Sequence, residues 1–196
     1  CWLMTSRELL KDIIALRPGP RRGFWLGNPH ADTWPVLHRY FGTRTEEALR
    51  RKLGDDYRWI SPSFIESTFR DPSCRRLFDF GLAKTSPGQA GPLASVEDPA
   101  ELDRFPWPDP AALDFADAVR ALRDAGPYYR ASGFWAPFYH DIMDLFGMEE
   151  YFVKMHTNPA VVRAVTDRVC GFYHAANERF FGAAGSQPTD ASHIRR

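Results

Sequence analysis

Two histidines and a set of small polar residues stand where they could do chemistry. His30 follows Gly27-Asn28-Pro29, and His140 follows the turn Gly133-Phe134-Trp135-Ala136-Pro137. Histidine titrates near neutrality, so either one could act as a general acid or base. The plainer alternative for each is a satisfied polar residue beside a helix start. Asn28, Ser61 and Ser63 add hydrogen-bonding groups, and Tyr139 adds a phenol one residue before His140. Arg130 lies inside an aromatic run, where a guanidinium calls for a carboxylate, from a substrate acid or from an internal salt bridge. Trp135, with Phe134 and Phe138, could wall a flat ligand or pack helix against strand. His140/Asp144 and Asp141/Asp144 have helical spacing for metal ligation, but pairs fall short of the three or four ligands that zinc takes. Cys1, Cys74 and Cys170 are too far apart for a disulfide framework or a metal knuckle, and Cys170 reads as helix packing.

The elements that would position these groups follow from local pattern. Met4 reads as a natural start, with residues 1–3 an upstream extension. Thr5 and Glu8 have capping-box spacing ahead of Leu9, Leu10, Ile13 and Ile14, and Pro18-Gly19-Pro20 ends that helix. Residues 22–27 read as a first strand, with Asn28 and His30 beyond its end. Asp32 or Thr33 caps a second helix that stops at Gly42, and Thr43 with Glu46 caps a third that stops at Gly54. Residues 57–60 read as the second strand, ending in Ser61-Pro62-Ser63. Periodicity then fades over 64–110, an irregular insertion with loop composition at 86–92 and at 105–110. A helix over 111–125 leads to a third strand over 128–134, bounded by Gly126-Pro127 and broken by Gly133 and Pro137. A helical pattern runs through Met155, and Asn158-Pro159 opens a long helix. Its apolar face holds Val161, Val162, Val165, Val169, Phe172, Tyr173, Ala176 and Phe180. Strands alternating with helices predict an α/β fold with a parallel sheet.

Length and composition bound the rest. The chain has 196 residues, is 44% hydrophobic, and its 25 Lys+Arg balance 25 Asp+Glu. That suits a single domain and offers no electrostatic footprint for nucleic acid or an anionic membrane surface. No apolar run approaches a membrane span, and no secretory leader pattern is visible, so a cytoplasmic protein with reduced thiols is expected.

The run Gly133-Phe134-Trp135-Ala136-Pro137-Phe138 resembles the G-x-x-A-P-W turn of the uroporphyrinogen decarboxylase superfamily. Gly147 falls where that family has a glycine after the next helix. Asn158-Pro159, Val161-Val162 and Val165-Thr166-Asp167-Arg168-Val169 are similar to its D-P-x-x-V-x-x-L-L-D-x-L helix, and residues 106–110 resemble a P-W-P-D-P segment. The resemblance covers roughly residues 4–185. It implies the N-terminal portion of a TIM-type (β/α)₈ barrel, about three β/α units long, with 186–196 as an atypical tail lacking the next strand. It implies active-site groups at the strand ends: His30 and His140 as catalytic residues, with Asn28, Ser61, Arg130, Gly133, Trp135 and Tyr139 toward the substrate. The activity implied is that of a decarboxylase of porphyrin biosynthesis or of a corrinoid-dependent methyltransferase. This chain needs no cofactor of its own in that reading, while zinc and a corrinoid partner belong to the methyltransferase branch. The alternative is a catalytically inert half-barrel that binds a partner chain or pairs as a homodimer. The chain departs from the decarboxylase pattern at three places. Gly27-Asn28-Pro29-His30-Ala31 stands where the family has R-Q-A-G-R, Ser61-Pro62 where it has S-D, and Met143 where it has a tyrosine.

Overall fold

The computed structural model describes residues 4–70, 88–185 and 191–192. Cys1, Cys74, residues 86–87 of the loop expected at 86–92 and most of the tail lie outside the described residues. The described residues fall into two compact units, one of 4–60, 121–132 and 191–192, the other of 61–70, 88–120 and 133–185.

The first unit holds an all-parallel sheet of β1 (Tyr57–Ile60), β2 (Tyr129–Ser132) and β3 (Ala191–Ser192), in that order. Tyr57 pairs with Tyr129 and Ile60 with Ser132, and Ala131 pairs with Ala191. The fold is therefore α/β, and the expected tail contributes a two-residue strand. Helix α1 (Ser6–Ile14) opens with the predicted box, in which Thr5 Oγ1 accepts from Glu8 N and the Glu8 carboxylate accepts from Thr5 N. Helix α2 (Thr33–Phe41) has Asp32 at its N-cap without a side-chain bond and ends at Gly42, whose φ of 62° suits glycine. Helix α3 (Glu46–Leu53) is capped by Thr45, not by Thr43. Starting at Glu46 puts two glutamates in the first turn and three basic residues in the last, which complements the helix dipole.

The expected first strand does not form. Its backbone bonds are taken by carboxylates instead of a ladder. Phe24 N donates to Asp56 Oδ2 at 3.0 Å and Leu26 N to Asp55 Oδ2 at 3.2 Å, while Phe24 O accepts from Asp56 N at 2.9 Å. Asp56, fully buried, also accepts from Ser6 Oγ at 2.6 Å and from both Arg21 Nη atoms at 2.5–2.6 Å. Burial pushes this carboxyl up, but the bonds from Arg21, Ser6 and Phe24 outweigh it and hold it below its ordinary range. The apolar run at 24–26 fits a strand equally well, so only the side chains arriving from Asp55 and Asp56 decide the matter.

The second unit is helical. Residues 111–115 of the expected helix are not α-helical, because Asp109 opens a short 3₁₀ turn (Pro110–Ala112) and α4 (Ala116–Asp124) begins later. Helices α5 (Phe138–Phe146), α6 (Met148–Thr157) and α7 (Pro159–Ala184) pack on one another. α7 has 26 residues, about 39 Å at 1.5 Å per residue, and Asn158 Oδ1 accepts from Val161 N at its start. Val161, Val165, Val169, Phe172, Tyr173, Ala176 and Phe180 are buried along it, as the periodicity requires. The irregular insertion is anchored where described. Gly91 N and Leu93 N donate to Phe146 O and Leu145 O at 2.9 and 2.8 Å and so cap the end of α5. A Cβ on Gly91 would stand 2.3 Å from Leu145 O, so only glycine allows that approach. Lys154, 1% exposed, then ties the loop down by donating to Val96 O at 2.9 Å and Glu97 Oε1 at 2.6 Å.

Replacing Asp56 by alanine removes an acceptor from Arg21, Ser6 and Phe24 N together. The expected loss is about 2–4 kcal/mol in urea unfolding, well above a surface ion pair. A loss below about 0.5 kcal/mol would show that residues 21–26 are held by other means.

Candidate functional site

The turn after β2 is built from three polar side chains. Gly133 adopts φ 134°, a conformation open to glycine, and its carbonyl accepts from Ser61 Oγ at 2.7 Å. Phe134 N donates to Asn177 Oδ1 at 2.8 Å. Trp135 N donates to Ser63 Oγ at 3.1 Å. Ser61 Oγ also accepts from Ser63 N at 3.3 Å, so the two serines form one short capped turn. With the N–H groups of Phe134 and Trp135 satisfied, Phe134 points inward, 3% exposed, against the rings of Phe69, Phe115 and Tyr173. Trp135 points outward, half-exposed, its ring centroid 5.7 Å from Phe64 at an interplanar angle of 31°.

One turn into α5 stands Asp141, 9% exposed. Its Oδ2 accepts from Tyr173 Oη of α7 at 2.6 Å. Burial raises the carboxyl to about 6; the Tyr173 bond and His140 oppose that, and Asp144 adds to it. Burial likewise lifts the Tyr173 phenol, with the Asp141 charge and hydrogen bond adding to the rise, so the phenol stays a donor. Asn177 lies one turn beyond Tyr173 and donates from Nδ2 to Tyr173 O at 3.0 Å. α7 thus sets both the turn and the carboxyl from successive turns of one face. A buried carboxyl beside a phenol can hold a proton at this point of α5.

The predicted residues divide accordingly. Ser61, Gly133 and Trp135 come together in the turn. Tyr139 and His140 are exposed on the first turn of α5, their rings edge to face at 6.0 Å. Asn28 and His30 belong to the first unit. Asn28 lines a cleft of about 380 Å³ with Arg50, Arg51, Arg58, Glu46 and Glu47. In that cleft Arg50 donates to Glu46, Asp55 and Gly27 O, and Arg58 donates to Glu47. His30 is exposed beside Asp32, 3.4 Å away. Arg130 donates to Leu122 O at 3.0 Å and so caps the last turn of α4. Among the described residues no group of three His, Cys, Asp or Glu could hold a metal, and no helix is long and apolar enough to cross a membrane. Cys170 is exposed, its thiol pushed up by burial and then by Asp167, which opposes a reactive thiolate. Sequence reasoning weighed Asp141 only as a metal ligand, placed Tyr173 on the apolar face, and passed over Asn177. The signal was present in Asn177, an amide at a core position of an apolar face, which must hydrogen-bond there.

The Asp141 shift carries a sign. A carboxyl whose folded value lies above its unfolded value binds extra protons when folded, so its contribution is present at low pH and is lost as pH rises through about 6. Between pH 4 and 7.5 the wild type should lose about 2–3 kcal/mol more than Asp141→Asn in urea unfolding. Parallel pH curves for the two proteins would mean an ordinary carboxyl. Asn177→Leu leaves Phe134 N without its acceptor, and a cost of about 1–3 kcal/mol is expected in the same assay.

Comparison of the chain with protein-family models, with curated proteins and with solved structures found no match.

Proposed function

We propose that the chain is a uroporphyrinogen decarboxylase-like barrel segment that binds an acidic, flat substrate at the ends of its parallel strands and belongs to a carboxy-lyase. One observation carries this reading. The turn after β2 is held open by Ser61, Ser63 and Asn177, with the exposed Trp135–Phe64 pair on its outer side. Strand order supports it. Each strand lies beside the next in sequence and all are parallel, the order in which a (β/α)₈ barrel grows, and barrel ligands sit at the carboxyl ends of the strands. The aromatic pair suits a planar ring system, since face-on contact with Trp gains both area and quadrupole attraction. The methyltransferase branch of the same resemblance would call for zinc, held through three or four N/S ligands.

A second reading has its own observation. Met148, Phe152 and Val153 are each 43–52% exposed on α6, an apolar strip that a partner chain or second copy would cover.

Uroporphyrin titration separates the two. The first reading expects saturable quenching of tryptophan emission that Trp135→Ala reduces at least tenfold in affinity, with CO₂ release from uroporphyrinogen at a strand-end-dependent rate. Quenching that persists unchanged in Trp135→Ala would remove the strand-end site. Sedimentation tests the second: Phe152→Glu should dissociate an oligomer, and a wild type that is monomeric at high concentration ends that reading.

A further inference from the structure

We propose that α2 of one copy of this chain packs antiparallel against α6 of a second copy, with Arg39 set beside Glu149. This rests on the reading of α6 as a face that another chain covers, and it names the segment that covers it. Both helices pack one side and expose the other. α2 turns Trp34 and His38 toward α3, their rings 6.0 Å apart and the Arg50 guanidinium 5.6 Å from Trp34, yet none of its residues is buried. Its opposite side carries Val36 and Tyr40, one turn apart and 60% and 81% exposed, with Asp32 and Arg39 exposed beside them. α6 buries Tyr151 and Lys154 and leaves Met148, Glu149, Phe152, Val153 and His156 exposed on its other side.

Charge decides which face meets which. From Thr33 to Arg44 the chain carries Arg39 and Arg44 and no acid. α6 opens with Glu149 and Glu150, and its one lysine, Lys154, is turned inward to Val96 O and Glu97. Among the described residues neither Arg39 nor Glu149 has an ion-pair partner. Packing either helix on its own copy would crowd like charges, arginine on arginine or glutamate on glutamate. Packing α2 on α6 joins opposite ones.

The spacing agrees with the antiparallel direction. Asp32 and Arg39 stand seven residues apart on α2, and Glu149 and His156 stand seven apart on α6. Antiparallel alignment sets Arg39 by Glu149 at one end and Asp32 by His156 at the other, about 10 Å away. Val36 and Tyr40 then fall on Met148, Phe152 and Val153. The carboxyl end of α2 lies at the amino end of α6, which suits both helix dipoles. The helices have 9 and 10 residues, so the two strips match in length. One such contact is small beside an ordinary interface of about 800 Å² per partner, so association is weak, with a Kd on the order of 100 μM. Whether two copies close on each other through two such contacts or copies run on in a row, the contact is the same.

Sedimentation of the intact chain over a concentration series tests the pairing. The wild type should associate, and Arg39→Glu and Glu149→Arg should each weaken association about tenfold. Both side chains are exposed, so the fold is not at stake. Mixing the two variants should restore wild-type association, because each chain then meets an opposite charge on the other at both helices. A mixture as weak as either variant alone overturns the pairing. So does a Glu149→Arg variant that associates as well as the wild type or better, the mark of α6 packing on its own copy. If Phe152→Glu dissociates the assembly while Arg39→Glu leaves it intact, α6 meets some other segment, and this pairing falls while the reading of α6 stands. A wild type that stays monomeric at about 1 mM, roughly ten times the expected Kd, ends both.

Discussion

A backbone N–H with no strand left to take it governs the helical unit. β2 ends at Ser132, so the N–H of Phe134 falls beyond the ladder, in a place sealed by Phe69, Phe115 and Tyr173. An unpaired donor there would cost a full desolvation penalty. Asn177 meets it from the middle of α7, and the register of that long helix is thereby fixed. Once Asn177 is placed, the residue one turn back is Tyr173, and its phenol must meet Asp141. The buried acid follows from the buried amide.

The other unit solves a similar problem with charge. Residues 21–26 have strand-like composition and no strand partner, and the adjacent carboxylates of Asp55 and Asp56 take their N–H groups instead. Arg21, Arg50 and Arg58 then balance those carboxylates. Each guanidinium in the cleft beside Asn28 is committed in this way, which makes that cleft a structural ion-pair network before it is anything else.

Two kinds of polar burial therefore coexist. In the ion-pair network Arg21, Arg50 and Arg58 each meet a carboxylate. At Asp141 no guanidinium or ammonium of the described residues is placed to do so, and burial is opposed by a neutral phenol and a neighbouring imidazole. A carboxyl left without an opposite charge in an apolar setting keeps its proton into the neutral range, which is the ordinary route to an acid–base group in a protein.

The sequence by itself determined the local elements. The Thr5–Glu8 box, the glycine stops at Gly42 and Gly54, and the long helix opened by Asn158-Pro159 are each set by contacts within a few residues, so pattern suffices to find them; β1 and β2 show in the sequence as short apolar runs but owe their pairing to residues far apart in the chain. Of the candidate site, Ser61, Gly133 and Trp135 were legible because a Gly/Pro-bounded turn after a strand marks itself. What the tertiary structure decided lies between segments far apart in the chain. The stretch 22–27 is not a strand because carboxylates some thirty residues away bond its backbone. Arg130 serves a helix end because Leu122 O happens to face it. Asp141 is an acid because Tyr173, 32 residues on, is brought against it in a buried place. Burial and long-range hydrogen bonds set proton affinity, and neither is written in local spacing.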